Sequence, residues 1–320
     1  MANIKDIAKI AGVGTSTVSR VLNNHPYVSE EARQAVLKAI KFTNYQKNIN
    51  AIHLKLGKTF LIGVVLPFLN HPYFGKLLEG ISVEAEKNNY KLLIFQTNYK
   101  DLREIEALEM LKEKQIDALI ICSKDCKWET IEEYQIYGPI VLCEDTRDRN
   151  ISSVFVDHYD SFTSALEFLY EKGHRRIGYC VGRMTGTNST QRELAYRDFL
   201  IKHNEPFLKE YIFEGCLFLE DAKRVMDRFT EMKKPPTALL VTSDQVAAGL
   251  LNLCNLLHIS VPDDLAIIGF DNQPIAEIMN ITTFEIPLFE IGQKLFLQAQ
   301  KKEKIIQEEM AVKLIERNTV

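Results

Sequence analysis

Short apolar runs alternate with longer amphipathic stretches from residue 59 onward, and this alternation limits the possible folds more than any other feature of the chain. The apolar runs that predict strands are 60–66, 90–95, 118–122, 140–143, 153–156, 176–181, 238–241 and 265–269. The stretches that predict helices are 74–88, 101–114, 159–172, 190–203, 220–232, 244–258 and 288–300. Such alternation predicts βαβ units, in which helices cover both faces of a parallel sheet. Roughly 260 residues hold two such doubly wound sheets, so we predict a two-lobed α/β body.

Residues 1–45 follow a different pattern, which predicts three short helices and no strand. Their apolar faces are formed by Ile4, Ile7, Ala8 and Ala11, by Val18, Val21 and Leu22, and by Val36, Leu37 and Ile40. The glycines of residues 12–14 end the first helix, and we predict that Thr15 caps the second and Ser29 the third.

The charge of the chain is divided unevenly between these two parts. Residues 1–58 hold nine Lys and Arg against three acids, a net charge of +6, whereas the remaining residues carry −10. A basic head on an acidic body is typical of a head that meets a polyanion.

The first two helices predict a helix-turn-helix that reads DNA. The outward-facing side chains of the second helix are Thr15, Ser16, Thr17, Ser19 and Arg20. A helix fits the major groove, where hydroxyls and a guanidinium can contact base edges and phosphates. The alternative that the pattern leaves open is a small helical cap with a solvated polar face.

Searches for catalytic and metal-binding patterns yield little. Gly57-Lys58-Thr59 resembles the end of a phosphate loop, but Ile52 stands where that loop needs Gly. The six cysteines are scattered, and the histidines lack a spacing that demands a metal. We therefore predict reduced core thiols, no enzyme activity, no cofactor and no metal.

Targeting signals are not evident in the sequence either. The first residues lack the apolar core of a signal peptide, and no apolar run reaches the ~18 residues of a membrane span. We expect a cytoplasmic protein that does not associate with membranes.

Several motifs, in order, resemble the LacI/GalR family of bacterial repressors. They are IKDIA at 4–8, AGV at 11–13, TVSRVLN at 17–23, IGVVLP at 62–67, GHRRIG at 173–178, PTA at 236–238, SD at 243–244, VPDDLAIIGFDN at 261–272 and LIER at 314–317. The resemblance covers nearly the whole chain. It implies a helix-turn-helix head, to whose DNA contacts it adds Asn23, and a body like a periplasmic binding protein.

The same resemblance implies that residues 46–58 form a hinge helix that inserts a leucine into the minor groove at the operator centre. Leu54 and Lys55 match that pattern, although Lys47 replaces the usual proline and Ile52 a common arginine. An apolar wedge of this kind unstacks a base step and bends the duplex. Ordinary core packing is the alternative for Leu54 and Leu56.

For the body, the resemblance implies a small-molecule effector between the lobes. The candidate contacts are Tyr73, Phe74, Glu144, Asp157, Arg192, Phe218, Ser243 and Asp271. Asp271 follows an apolar strand, where open α/β sheets place ligands, and its carboxylate could accept from two sugar hydroxyls. Aromatic rings can stack on a sugar. The alternatives are loop anchoring for the aromatics, helix capping for the acids and Ser243, and a surface position for Arg192.

These predictions combine into a ligand-controlled transcription repressor. Residues 1–45 bind a pseudopalindromic operator, 46–58 form the hinge, and 59–320 bind the effector and dimerise. The first lobe is expected at about 59–157 and 288–304, and the second at about 158–287 and 305–320. No leucine heptads follow Glu316, so we expect a dimer.

The effector is expected to be a sugar. Residues 25–31 and 143–146 resemble those of repressors of maltose or maltodextrin operons. Two other classes remain as alternatives: a solute-binding transport component, and a sugar-metabolising α/β enzyme with a DNA-binding appendage. Salt-sensitive retention on heparin without turnover of sugars would distinguish the repressor from both.

Overall fold

The computed structural model describes residues 2–46, 56–301 and 304–320, and the chain separates into two compact units, 1–58 and 59–320. The first unit contains helices α1 (Ile4–Ala11), α2 (Thr15–Leu22) and α3 (Glu30–Thr43). The second unit is larger and contains two sheets with their covering helices.

The three helices of the head pack around a small core. Its buried residues are Ile7, Ala8, Val18, Val21, Val36 and Ala39. Asn3 caps α1 by accepting from the backbone N–H groups of Lys5 and Asp6, and Gly12 ends this helix at φ 65°. That left-handed conformation favours glycine, so the predicted helix break is confirmed.

Two details of the predicted head are wrong and one is confirmed. Gly14, not Thr15, occupies the N-cap of α2, and Thr15 is its first helical residue. Leu37 is 47% exposed, whereas Ala39 lies in the core. Ser29 does cap α3, because its hydroxyl accepts from the N–H of Ala32 at 3.3 Å. The predicted hinge residues 47–55 lie outside the described residues.

The body has the following elements in chain order. The strands are β1 (Leu61–Leu66), β2 (Lys91–Gln96), β3 (Ala118–Ile121), β4 (Ile140–Leu142), β5 (Ser152–Phe155), β6 (Ile177–Val181), β7 (Ile212–Glu214), β8 (Ala238–Val241), β9 (Ala266–Asp271), β10 (Thr282–Glu285), β11 (Gln307–Glu309) and β12 (Lys313–Ile315). The helices are α4 (Pro72–Lys87), α5 (Asp101–Lys112), α6 (Trp128–Tyr134), α7 (His158–Glu171), α8 (Thr187–His203), α9 (Asp221–Glu231), α10 (Asp244–Leu257), α11 (Pro274–Ile278) and α12 (Leu288–Ala299).

The strands form two six-stranded sheets, one in each lobe. The first sheet has the order β11-β5-β4-β3-β1-β2, and its pairs are parallel. The second has the order β12-β10-β9-β8-β6-β7 and is parallel except for the β10–β12 pair. The predicted doubly wound α/β body is confirmed. Three connections, after β5, after β10 and after β11, carry the chain between the lobes.

Helices α4 and α12 pack closely on one face of the first sheet. A Cβ on Gly80 would lie 2.1 Å from the carbonyl oxygen of Phe289, and one on Gly292 would lie 2.2 Å from that of Leu77. Only glycine permits this approach of the two backbones. The contact fixes α12, which follows the second lobe in sequence, onto the first.

Several short elements lie outside the strands and helices predicted for the body. They are α6, α11, β7, β10, β11 and β12. The proposed lobe boundary near residue 305 is also wrong in detail. Strand β11 pairs with β5 from Gln307↔Ser153 to Glu309↔Phe155, so these residues belong to the first lobe. The chain returns to the second lobe only with β12.

Candidate functional site

Helix α2 has one apolar face and one polar face, which together make the head's candidate DNA surface. Val18 and Val21 are buried against α1 and α3. Of the predicted DNA contacts, Thr15, Ser16, Arg20 and Asn23 are exposed, whereas Thr17 and Ser19 are half-buried. Leu54 and Lys55 lie outside the described residues.

The composition of this surface suits a polyanion. Thr15 and Ser16 stand in the first turn of α2, where backbone N–H groups and the helix dipole favour phosphate. Arg20 lies in the last turn and its long side chain can reach base edges. The surface thus has hydroxyls and backbone N–H groups suited to phosphate at one end of the helix and a guanidinium at the other.

The body has a cavity of about 100 Å³ between its two lobes. Its lining comes from the carboxyl ends of the parallel strands of both sheets, where ligands of such folds bind. Tyr99 follows β2, Glu144 follows β4, and Arg183 follows β6. The volume is below the ~300 Å³ of typical ligand pockets, so the cleft in this arrangement is narrow.

Six of the eight predicted effector contacts line this cavity. They are Tyr73, Phe74, Glu144, Arg192, Ser243 and Asp271. Tyr73 and Phe74 lie in the first turn of α4, which His71 caps by accepting from the N–H of Tyr73 at 3.3 Å. The helix cap therefore brings two aromatic rings to the cavity wall.

Asp271 and Arg192 provide opposite charges on the wall of the second lobe. Asp271 ends β9 at φ 100°, a left-handed conformation that is rare for a residue with a side chain and is concentrated at functional sites. The Nε2 of Gln273 donates to its carboxylate at 3.0 Å. Asp271 does not cap α11, whose N-cap residue is Gln273. Its predicted alternative role is therefore wrong.

Arg192 projects into the cavity from α8 rather than into solvent. Its Nη2 donates to the Nδ1 of His158 at 3.2 Å, and burial and the guanidinium together hold the pKa of His158 well below its usual value. Among the described residues, the Nε of Arg192 has no hydrogen-bond partner. A ligand oxygen could accept from this buried donor.

Glu144 and Ser243 complete the predicted set, and neither caps a helix with its side chain. Glu144 is 2% exposed, its Oε1 accepts from the N–H of Lys124 at 2.8 Å, and burial raises its pKa. Ser243 holds the N-cap position of α10, but its hydroxyl donates to the carbonyl of Leu217 at 3.2 Å. Both groups are fixed by neighbouring loops at the edge of the sheets.

A second carboxylate, that of Asp244, lies beneath Asp271. It accepts from the N–H of Gln273 at 2.7 Å and from the hydroxyl of Thr283 at 2.8 Å. A Cβ on Gly269 would lie 2.1 Å from its Oδ1, so this glycine makes room for the carboxylate. Burial raises the pKa of both acids well above the usual range, and the charge of Asp271 raises the pKa of Asp244 further.

Two predicted effector contacts lie elsewhere. Asp157 caps α7 by accepting from the N–H of Asp160 at 2.9 Å and forms an ion pair with Arg147 at 2.6 Å. Phe218 is not on the cavity wall, and it packs edge-on against Phe68 and His71 of the first lobe. The capping alternative is thus the one observed for Asp157, and Phe218 joins the lobes.

Polar contacts across the cleft hold the lobes together. Arg183 donates to Asp125 Oδ1 at 2.8 Å and to the carbonyl of Lys124 at 2.7 Å. Its guanidinium also lies 3.8 Å from the ring centre of Tyr99. Further contacts between the lobes join Gln191 to Asp145 at 3.1 Å and His71 to the carbonyl of Leu217 at 3.1 Å.

Several lining residues were not predicted from the sequence. They are Tyr99, Ser123, His158, Arg183, Thr187, Asn188 and Ser189. Tyr99, Ser123 and Arg183 follow the ends of β2, β3 and β6, so these strand ends could have suggested them, whereas the other four lie in the first turns of α7 and α8. Within the described residues, no group of three or more His, Cys, Asp or Glu side chains could hold a metal ion. The helices searched there include none long and apolar enough to cross a membrane.

Two family models match separate parts of the chain. The model described as "Bacterial regulatory proteins, lacI family" matches residues 3–48. The model described as "Periplasmic binding proteins and sugar binding domain of LacI family" matches residues 59–313. The second match covers most of the chain.

Individual proteins resemble the chain along its length. The uncharacterized HTH-type transcriptional regulator YkvZ of Bacillus subtilis (strain 168) is 41% identical over 100% of both chains. A LacI family regulator of Lactobacillus casei with bound glucose is 24% identical, with a TM-score of 0.74 over 81% of this chain and 99% of the other. The lac repressor dimer bound to operator is 22% identical, with a TM-score of 0.83 over 99% of this chain and 98% of the other.

Proposed function

We propose, from the premise that the chain belongs to the LacI family of bacterial regulatory proteins, that α2 reads an operator while the cleft between the lobes binds the effector that controls it. The protein is a DNA-binding transcriptional regulator of that family. One observation carries the proposal: strand ends of both lobes bring acidic, basic and hydroxyl side chains together at one cavity. No catalytic role is proposed, and the protein is expected to act on DNA in the cytoplasm.

The chemistry of the cleft favours a polyhydroxylated effector. Asp271 and Glu144 supply acceptors for hydroxyl protons, and the unpartnered Nε of Arg192 supplies a donor for a ligand oxygen. Tyr73 and Phe74 supply aromatic surface for the apolar face of a ring. The related regulator of Lactobacillus casei with bound glucose supports a sugar. A maltose-type effector stays a prediction.

Control of DNA binding by the effector requires that the lobes have two arrangements. The narrow cleft and the contacts of Arg183 and Gln191 across it describe one of them. An effector that bridges the lobes changes the balance between the arrangements by its different affinity for each. The two sites are then coupled, and the coupling acts equally in both directions.

A second copy of the chain is the proposed occupant of an apolar groove on the second lobe. The groove has a volume of about 330 Å³ between α9 and α10, and Leu219, Leu253 and Met279 line it. The neighbouring Ile278 is 79% exposed. The related lac repressor binds its operator as a dimer, and two heads related by a two-fold axis match a pseudopalindrome.

The DNA half of the proposal is tested by enrichment of duplexes from a random library on the full-length protein. We expect a pseudopalindromic sequence to be enriched, with affinity that falls steeply as salt rises. Arg20→Ala should weaken binding to that sequence by roughly tenfold, in line with 1–3 kcal/mol for a good base contact. Lys294→Ala, in the body's α12, is the matched cation control and should bind as the wild type does. Enrichment of no sequence would contradict operator reading.

The effector half is tested by a thermal-shift screen of sugars and sugar phosphates. At least one compound should raise the melting temperature of the wild type, since ligands that bind only the folded state stabilise it. Arg192→Met should abolish that shift while the protein stays folded. A shift of equal size in this variant would mean that the compound binds outside the cleft.

A further inference from the structure

A second cavity, of about 280 Å³, opens beside the connection that carries the chain from β11 to β12. One wall is formed by the N-cap and first turns of α7, and the other by β10 and residues 309–314. It shares no lining residue with the cleft between the strand ends. The cavity is therefore a separate place, at the crossing points between the lobes.

The charge around this cavity is strongly negative. Asp157, Asp160 and Glu309 line it. Lys313 stands between the lining residues Val312 and Leu314, and Arg147 is shared by Asp157 at 2.6 Å, Asp145 at 2.7 Å and Glu309 at 3.5 Å. Within the residues that the structure describes, no cation lies within ion-pair distance of the Asp160 carboxylate. Three carboxylates thus share one guanidinium, and the Asp160 carboxylate has no ion pair of its own within the described residues.

A buried residue whose hydroxyl has no partner lines the same cavity. Ser161 is 2% exposed and lines the cavity, yet its Oγ has no hydrogen bond within the described part of the chain. Buried polar groups of native proteins are nearly always paired, and an exception calls for a missing partner. The hydroxyl oxygen can accept from an N–H of a bound molecule.

The opposite wall of the cavity is apolar. Phe284, Met310, Val312 and Leu314 supply it, and Met310 is 8% exposed. A hydrated inorganic cation gains nothing from such a wall. A molecule with positive ends and a methylene chain matches both walls, because its charges meet the carboxylates while its carbon atoms cover apolar surface.

We propose that this cavity binds a short aliphatic diamine as its dication. One ammonium group pairs with Asp160 and donates to the Oγ of Ser161, and the methylene chain lies along Met310 and Leu314. The second ammonium group lies near Glu309. The positive end of the α7 dipole opposes a cation only weakly here, because Asp157 already caps the helix and Asp160 stands in its first turn.

A ligand in this cavity touches two of the connections between the lobes. Asp157 follows β5, and residues 310–312, which join β11 to β12, also line the cavity. If two arrangements of the lobes differ at these connections, the diamine has a different affinity for each of them. It then shifts the equilibrium toward the arrangement that it binds more tightly. This inference rests on the second cavity alone and is independent of the sugar proposed for the cleft.

The test is calorimetric titration of the full-length protein with 1,5-diaminopentane. Its neutral counterpart, 1,5-pentanediol, has the same length, and both titrations are made at matched ionic strength. We expect the diamine to bind and the diol not to bind. Asp160→Asn should weaken diamine binding on the order of tenfold, and Ala311→Leu should weaken it by filling the cavity. Asp227→Asn removes an acid paired with Lys223 elsewhere and should bind as the wild type does.

A further variant separates this cavity from the cleft, which also holds carboxylates. Asp271→Asn should leave diamine binding unchanged. The proposal is overturned if the diamine does not bind the wild type, if the diol binds equally, or if Asp160→Asn binds as tightly as Asp227→Asn. Loss of diamine binding in Asp271→Asn alone would assign the diamine to the cleft and also overturn it.

Discussion

Arg183 and Asp125 face each other across the cleft, with the Nη1 of the arginine 2.8 Å from the Oδ1 of the aspartate. Arg183 follows β6 in the second lobe, and Asp125 follows β3 in the first. The arginine also donates to the carbonyl of Lys124 and stacks on Tyr99. Opening of the lobes must therefore break these contacts of Arg183.

Replacement of Arg183 by alanine should favour the open arrangement of the lobes. The charged pair is partly exposed, so it contributes at most ~1 kcal/mol, and its neighbouring hydrogen bonds add about 1 kcal/mol each. We expect a larger radius of gyration by small-angle X-ray scattering. Arg197→Ala, which removes a salt bridge within α8, is the control. Unchanged scattering in Arg183→Ala would mean that other contacts close the cleft.

The buried acids of the cleft should make the stability of the body depend on pH. Burial raises the pKa of Asp271 to about 7, so the folded protein holds a proton that the unfolded chain releases at lower pH. Stability from this group is therefore present at low pH and is lost as the pH rises through the folded pKa. We expect Asp271→Asn to lose less free energy of unfolding between about pH 5 and pH 8 than the wild type.

Urea unfolding at both pH values measures this difference. Asp264→Asn, which alters the exposed acid that accepts from the N–H of Ser260, should keep the slope of the wild type near neutral pH. A slope in Asp271→Asn equal to that of the wild type would contradict the raised pKa.

The apolar groove of the second lobe should carry part of the dimer contact. Met279→Glu brings a charge into a surface that a second copy would cover, and desolvation of that charge costs several kcal/mol. We expect the dimer to dissociate at concentrations where the wild type does not, as measured by sedimentation velocity. Ile136→Glu, at an 80% exposed position of the first lobe, should remain dimeric. A dimer that survives Met279→Glu would move the interface elsewhere.

The sequence predicted the parts of the fold that have strong periodicity. Strand β1 and helix α12 were predicted within a residue or two because long apolar patterns mark them. Strands β11 and β12 were missed because each has only three residues and is held by pairing with a distant strand. Pairing of that kind leaves no local pattern.

The difference between local sequence patterns and contacts made only in the folded chain also explains which cleft residues were predicted. Asp271 and Arg192 were found from motifs that resemble the family, and both line the cavity. Asp157 was misassigned because an acid after a strand can serve equally as a ligand contact or as a cap, and only the structure reveals its bond to Asp160. His158 was missed because no sequence pattern marks a lone histidine as a site residue. Its burial beside Arg192, which lowers its pKa, is a property of the folded chain.

The most direct test of effector-controlled DNA binding uses the enriched duplex together with the sugar that stabilises the wild type. The affinity for the duplex is measured with and without saturating sugar, and the affinity for the sugar with and without saturating duplex. The account predicts that each ligand changes the affinity of the other by the same factor, on the order of 5–150-fold, and that Asp271→Ala weakens sugar binding by about 1.5–3 kcal/mol. Binding of both ligands with neither affinity changed would contradict it.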